Sequence, residues 1–128
     1  SYLVEEMISG TLAELLIGVV LDPAHGYVLT LAAGGVWTEL MNDSISLLLP
    51  VEGPEIEMAL DQLGCAALLK GYRGARPVDL QAVVKAVLAV QDYVMTRGAR
   101  VEEIEINPLI CTADAAIAVD ALIRGQED

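Results

Sequence analysis

Three side chains toward the end of the chain, Glu105, Asn107 and Asp120, have the types and spacing to hold a hard cation. Val101 to Asn107 alternates partly, Ile104 and Ile106 against Glu103, Glu105 and Asn107, as a strand with one polar face does. Side chains on a strand alternate in direction, so Glu105 and Asn107 point the same way and converge on one spot. Magnesium takes oxygen ligands, commonly one or two carboxylates with substrate phosphates and water, and a glutamate beside an asparagine carbonyl meets that need. Asp120 is the one acid inside the apolar run Ala116 to Ile123. If that run pairs antiparallel with the preceding strand across a turn at Thr112-Ala113-Asp114, Asp120 comes close to Asn107. A carboxylate in such a run is costly to desolvate unless it is paired, metal-bound or beside an open cleft. Spacing alone leaves a second reading open: Glu105 and Asn107 line the solvent face of an edge strand that Pro108 blunts. Glu-x-Asn is too short a pattern to decide between them.

The elements that must position these residues follow from periodicity. Leu15 to Leu21 and Tyr27 to Ala33 are apolar arms around the turn residues Asp22-Pro23-Ala24-His25-Gly26, which predicts a β-hairpin. Neither arm alternates, so both faces of this sheet are expected to be covered. Ala33 to Asp43 (AGGVWTELMND) reads as a loop, with Gly34-Gly35 directly after the strand. Pro54 opens a helix with Ile56, Ala59, Leu60 and Leu63 on one face and Gly64 as its stop. Asp79 caps a second helix, with Leu80, Val83, Val84, Val87, Leu88 and Val94 on one face and Gly98 at its end. Lys70 to Pro77 between them is a basic, glycine-containing connector, read as solvated. Val101 to Asn107 is a strand that Pro108 interrupts, and Ala115 to Ile123 is the last strand. The order is strand, strand, helix, helix, strand, strand, which we take as one α+β unit spanning residues 1–128.

Composition sets limits on partners. With 128 residues and 55% hydrophobic content the chain can bury a core of its own, and without phenylalanine that core is aliphatic. The net charge of −12 opposes nucleic acid, whose affinity comes largely from Lys and Arg on phosphates. No run reaches the roughly 18 uninterrupted apolar residues of a membrane span, and Glu5 and Glu6 spoil a signal peptide, so a cytoplasmic protein is expected. Cys65 and Cys111 lie far apart without a CxxC pattern and are read as buried thiols. If the ligand were a nucleoside triphosphate, a chain this acidic could not neutralise it alone and would need metal ions or cations from another segment.

EIEINPL (Glu103 to Leu109), followed by AVDALI (Ala118 to Ile123), resembles the C-terminal half of the ATP-grasp domain in NDP-forming acyl-CoA synthetases. That family includes ADP-forming acetate-CoA ligase and the beta subunit of succinyl-CoA synthetase. VEEMISGTLAELLIGVVLD at the start, AGGVWTELMND and the Gly71-Tyr72-Arg73-Gly74 connector extend the resemblance over nearly the whole chain. It implies an ATP-grasp C-terminal subdomain, a mainly antiparallel sheet with two helices packed on it. By the same resemblance Asn107 and Asp120 are magnesium ligands, while Glu105 faces a phosphohistidine during phosphoryl transfer. Relatives elsewhere in the superfamily often use the equivalent of Glu105 as a metal ligand. Glu5 and Ile8 match a hinge strand that meets the nucleotide base mainly through backbone atoms, and Glu14 matches an acidic nucleotide-site residue.

The implied reaction makes acyl-CoA from a carboxylic acid, CoA and ATP, with release of ADP, through a phosphohistidine and an acyl phosphate. The reactive histidine of the family lies in a separate ligase domain. His25 is not it, and reads as a surface turn residue. The first ATP-grasp subdomain and the CoA-binding and ligase domains are expected in cis or on a second subunit, and the 128 residues alone are expected to be inactive. A second reading is a non-catalytic regulatory module of the kind fused to acetyltransferase domains. A complete set of Glu105, Asn107 and Asp120 favours the enzyme.

Overall fold

A computed structural model describes residues 10–34, 43–71, 74–98 and 100–125. Its strands are β1 (Ala13–Asp22), β2 (Gly26–Ala33), β3 (Ser44–Leu48), β4 (Val101–Cys111), β5 (Ala116–Ala118) and β6 (Ala121–Gly125). Between β3 and β4 run the helices α1 (Gly53–Asp61), α2 (Ala66–Leu69) and α3 (Leu80–Met95). The strands form one sheet in the order β3-β2-β1-β4-β5, with β6 also paired to β4, and every pairing is antiparallel. The expected α+β class with an antiparallel sheet holds.

Local signals account for most of this. Asp22 holds the hairpin turn, its carboxylate accepting from the Ala24 N–H at 2.8 Å and lying 3.3 Å from His25 Nδ1. The Ala24 N–H and then His25 hold the Asp22 carboxyl below its usual range. Helix α1 starts with Pro54 in its first turn, and the Glu52 N–H donates to Glu55 Oε1 at 2.9 Å. Asp79 caps α3 by accepting from the Ala82 N–H at 3.0 Å. Five valines on one side of α3, Val83, Val84, Val87, Val90 and Val94, are buried with Ile56, Ala59 and Leu60 of α1. They share one core with Leu15, Ile17, Val19, Leu29, Leu31, Ile104, Ile106 and Leu109 of the sheet. Each such buried Val, Leu or Ile side chain contributes about 1.5–3 kcal/mol of transfer free energy.

Two expectations change, and one strand is new. The strand carrying Glu105 does not stop at Pro108 but runs on to Cys111, because Asn107 and Pro108 together lie opposite the single residue Leu16. Such a bulge leaves a residue out of the ladder, which is where a proline is tolerated inside a sheet. Ser44–Leu48, just past the stretch expected to be a loop, is an edge strand on β2, with Thr30 Oγ1 and Ser46 Oγ 3.0 Å apart. Among the described residues the helices cover one face of the hairpin: on the other face Val20 is 46% exposed, Leu48 of its row 57% and Leu122 of the neighbouring row 58%.

Candidate functional site

The sheet face opposite the helices carries the candidate residues in rows set by strand register, since directly paired residues share a face. One row reads Ser46, Thr30, Gly18, Glu105 and Leu122 across β3, β2, β1, β4 and β6. In the next row Ser44, Ala32 and Leu16 lead to the bulge at Asn107 and Pro108. Register is unbroken from Leu109↔Ala118 to Ile106↔Ala121, which puts Asp120 opposite Asn107. The Asn107 N–H donates to the Asp120 carbonyl at 3.1 Å, and the Val119 N–H donates to the Pro108 carbonyl at 3.1 Å.

The turn that makes this possible is local. The Thr112 hydroxyl accepts from the Asp114 and Ala115 N–H groups at 3.2 and 3.0 Å, and the Thr112 N–H donates to the Ala115 carbonyl at 2.9 Å. Glu105 is half-buried, while Asn107 and Asp120 are exposed. Asp120 therefore carries no large desolvation cost, and an apolar sequence around it reflects an edge strand, not a buried one. Glu105, Asn107 and Asp120 thus share one open face, as alternation and antiparallel pairing require.

Among the described residues no three His, Cys, Asp or Glu side chains are close enough to hold a metal ion by themselves. Asp120 and Asn107, on opposed positions, would offer a smaller set of hard oxygens. That set fits magnesium, which keeps several waters and takes substrate phosphate as further ligands, better than a metal requiring a full protein cage.

Glu14 lies on the same face, opposite Ile110, two positions along β1 from the row of Asn107. It borders a cleft of about 780 Å³ at the end of the sheet, with Thr11, Gly34, Asp43, Cys65 and Leu68 among the other lining residues. The Gly34 N–H donates to the Glu14 carbonyl at 2.8 Å. A side chain at position 34 would bring its Cβ within 3.1 Å of the Glu14 backbone, which would have to give by a few tenths of an ångström, so the close approach favours glycine. Glu5 and Ile8, read from the sequence as nucleotide contacts, lie outside the described residues, as do Gly35 and Arg73. His25 is exposed in the hairpin turn. In the basic connector Lys70 pairs with Asp61, and Arg76 lies 3.9 Å from Asp114.

Asp43 is a cleft residue that spacing does not single out. Its Oδ1 accepts from the Gly64 N–H at 2.6 Å and its Oδ2 from the Cys65 N–H at 3.1 Å. Partners 21 and 22 positions away leave no short-range signature.

Residues 1–124 match a family model described as ATP-grasp domain. The beta subunit of ADP-forming acetate-CoA ligase II from Pyrococcus furiosus is 28% identical over 112 residues, covering 86% of this chain and 48% of that protein. ADP-forming 4-hydroxybutyrate-CoA ligase from Nitrosopumilus maritimus is 30% identical over 108 residues, covering 84% of this chain and 15% of that protein. Among solved structures, dinucleotide-forming acetyl-coenzyme A synthetase 1 of Ca. Korarchaeum cryptofilum, in complex with coenzyme A and Mg-AMPPCP, superposes with a TM-score of 0.83 at 28% identity. That match covers 93% of this chain and 55% of the other. The chain therefore spans about half the length, or less, of the relatives it matches.

Proposed function

The chain belongs to the ATP-grasp domain family, and on that premise we propose that it is the nucleotide- and magnesium-binding part of an ADP-forming acid-CoA ligase. The supporting observation is the open sheet face on which Glu105, Asn107 and Asp120 converge, in a chain whose relatives are acid-CoA ligases. In this reading residues 1–128 are the C-terminal ATP-grasp subdomain of a longer synthetase. The CoA-binding and ligase domains lie in cis or on a second subunit.

Asn107 and Asp120 are the side chains that would hold magnesium, and magnesium bound there would neutralise charge on the nucleotide phosphates. The remaining work of this chain is positioning. The pairing of β4 with both β5 and β6 holds Asp120, in the short link between them, opposite Asn107, which limits how far the two side chains can move apart. Glu105, one step along β4 on the same face, is aimed at the group that receives the phosphoryl. Glu14, further along β1, takes the nucleotide together with Glu5 and Ile8. Acid and CoA would meet elsewhere in the parent, which fits a chain with 19 acidic and 7 basic residues that lacks the cations to balance a triphosphate.

The test is ATP-dependent phosphorylation of the histidine in the full-length parent. Asn107→Ala and Asp120→Ala should each abolish it while circular dichroism and melting temperature stay close to wild type. Unchanged phosphorylation in both variants refutes the metal assignment. The purified 128-residue chain should make no acyl-CoA, and turnover by it would refute its being a part.

A further inference from the structure

We infer that Asp43 is a positioning residue for this site, holding the far wall of the cleft against the strand that carries Glu14; the inference rests on the nucleotide-site reading above. A continuous set of hydrogen bonds runs across the cleft. It begins at β1, where the Glu14 carbonyl accepts from the Gly34 N–H at 2.8 Å. The neighbouring Ala33 N–H, at the end of β2, donates to the Asp43 carbonyl at 3.1 Å. The Asp43 carboxylate then takes the Gly64 and Cys65 N–H groups at 2.6 and 3.1 Å, immediately before α2. Glu14, Gly34, Asp43, Gly64 and Cys65 all line the cleft.

The chemistry of the tie is specific to a carboxylate. Each of its two oxygens faces an N–H, and bonds to an ionised acceptor are shorter and stronger than neutral ones. An asparagine has one acceptor oxygen and would turn an NH2 group toward one of the two backbone donors. Gly64 is matched to this arrangement, since a Cβ there would stand 3.3 Å from Asp43 Oδ2 and 3.4 Å from its Cγ and Oδ1. The α2 turn has no strand pairing to locate it. Asp43 thus sets the separation between the turn and the sheet end, and with it the width of the cleft at Glu14.

The experiment measures KM for magnesium-ATP and kcat of histidine phosphorylation in the full-length parent, for Asp43→Asn, Leu69→Ala and Asp120→Asn. Leu69 is buried in α2 but touches none of the bonds above, so Leu69→Ala reports general loosening of the same turn. Asp43→Asn should raise KM about tenfold with kcat changed less than about threefold, a loss of binding more than of chemistry. Leu69→Ala, with an equal or larger drop in melting temperature, should leave KM near wild type. An unchanged KM in Asp43→Asn, or a change no larger than in Leu69→Ala, overturns the inference. If Asp120→Asn is inactive in that case, the nucleotide-site reading survives. If Asp120→Asn is fully active, that reading falls and the role of Asp43 falls with it. Should Asp43→Asn fail to fold, Gly64→Ala presses on the same carboxylate from the other side and must raise KM in the same sense; a normal KM there overturns the inference as well.

Discussion

Asn107 and Asp120 face each other across the β4 edge, joined by the Asn107 N–H donating to the Asp120 carbonyl at 3.1 Å. The backbone bond fixes the register that makes two oxygen-bearing side chains neighbours on one exposed face. Directly opposed residues of an antiparallel pair have Cβ atoms about 5 Å apart, a separation that one cation with its phosphate ligand can bridge.

The two kinds of residue on this face should separate by metal titration. Asp120→Asn is expected to raise the magnesium concentration for half-maximal activity of the parent by about 10–100-fold, so that it is almost inactive at magnesium concentrations that only just suffice for the wild type. Glu105→Gln should leave that midpoint near wild type and slow phosphoryl transfer instead. A shifted midpoint in Glu105→Gln would make Glu105 a metal ligand as well.

Gly34 and Gly18 make opposite predictions from the same substitution. Gly34→Ala sets a methyl 3.1 Å from the backbone of Glu14 and should destabilise the fold by about 1–3 kcal/mol. At Gly18 the nearest atom to an added Cβ is Leu16 Cδ2 at 3.8 Å, so alanine fits and should stabilise by about 0.4–1 kcal/mol through the unfolded state. Because Gly18 lies beside Glu105 on the open face, the gain in stability should come with weaker nucleotide binding in the parent. Urea unfolding and an ATP titration of each variant check this.

Tyr27 is a buried pin between the hairpin and the start of β4, its hydroxyl donating to the Val101 carbonyl at 2.6 Å. Tyr27→Phe should cost about 1–2 kcal/mol in chemical denaturation, the hydrogen bond plus any desolvated carbonyl left behind. A loss well below that range would mean that water reaches Val101 in the variant.

Alkaline pH should destabilise the fold through its thiols. Burial, with the charge of nearby Cys65 second, pushes the Cys111 thiol up from 9.0 to about 12, and burial together with Asp43 pushes Cys65 to about 11. Above pH 9.0 the unfolded chain loses these protons while the native state keeps them, so native stability is complete below that pH and falls as pH rises toward 12. Cys111→Ala should flatten the decline between pH 9 and about pH 11 relative to wild type, at a cost near neutral pH of about 1 kcal/mol for the lost packing. An equally steep decline in Cys111→Ala would place its cause elsewhere.

Much of this protein is legible in its sequence because the deciding interactions span only a few residues. Asp79 caps α3 three residues ahead of its partner, the α3 valines recur at helical spacing, and Asp22 to Gly26 close the hairpin by local bonds. The convergence of Glu105 and Asn107 follows from the period of a strand, and the approach of Asp120 from a turn of ordinary length at Thr112. Tertiary structure decided the rest. Ser44–Leu48 becomes a strand by pairing with β2, and β4 passes through Pro108 because Leu16 on β1 leaves room for a bulge. The apolar hairpin arms have no pattern that says which face the helices take. That face is chosen by packing against α1 and α3, and the choice leaves Glu14, Glu105, Asn107 and Asp120 open. Asp43 reaches Gly64 and Cys65 only because the chain folds back on itself, and no residue near it in sequence records that contact.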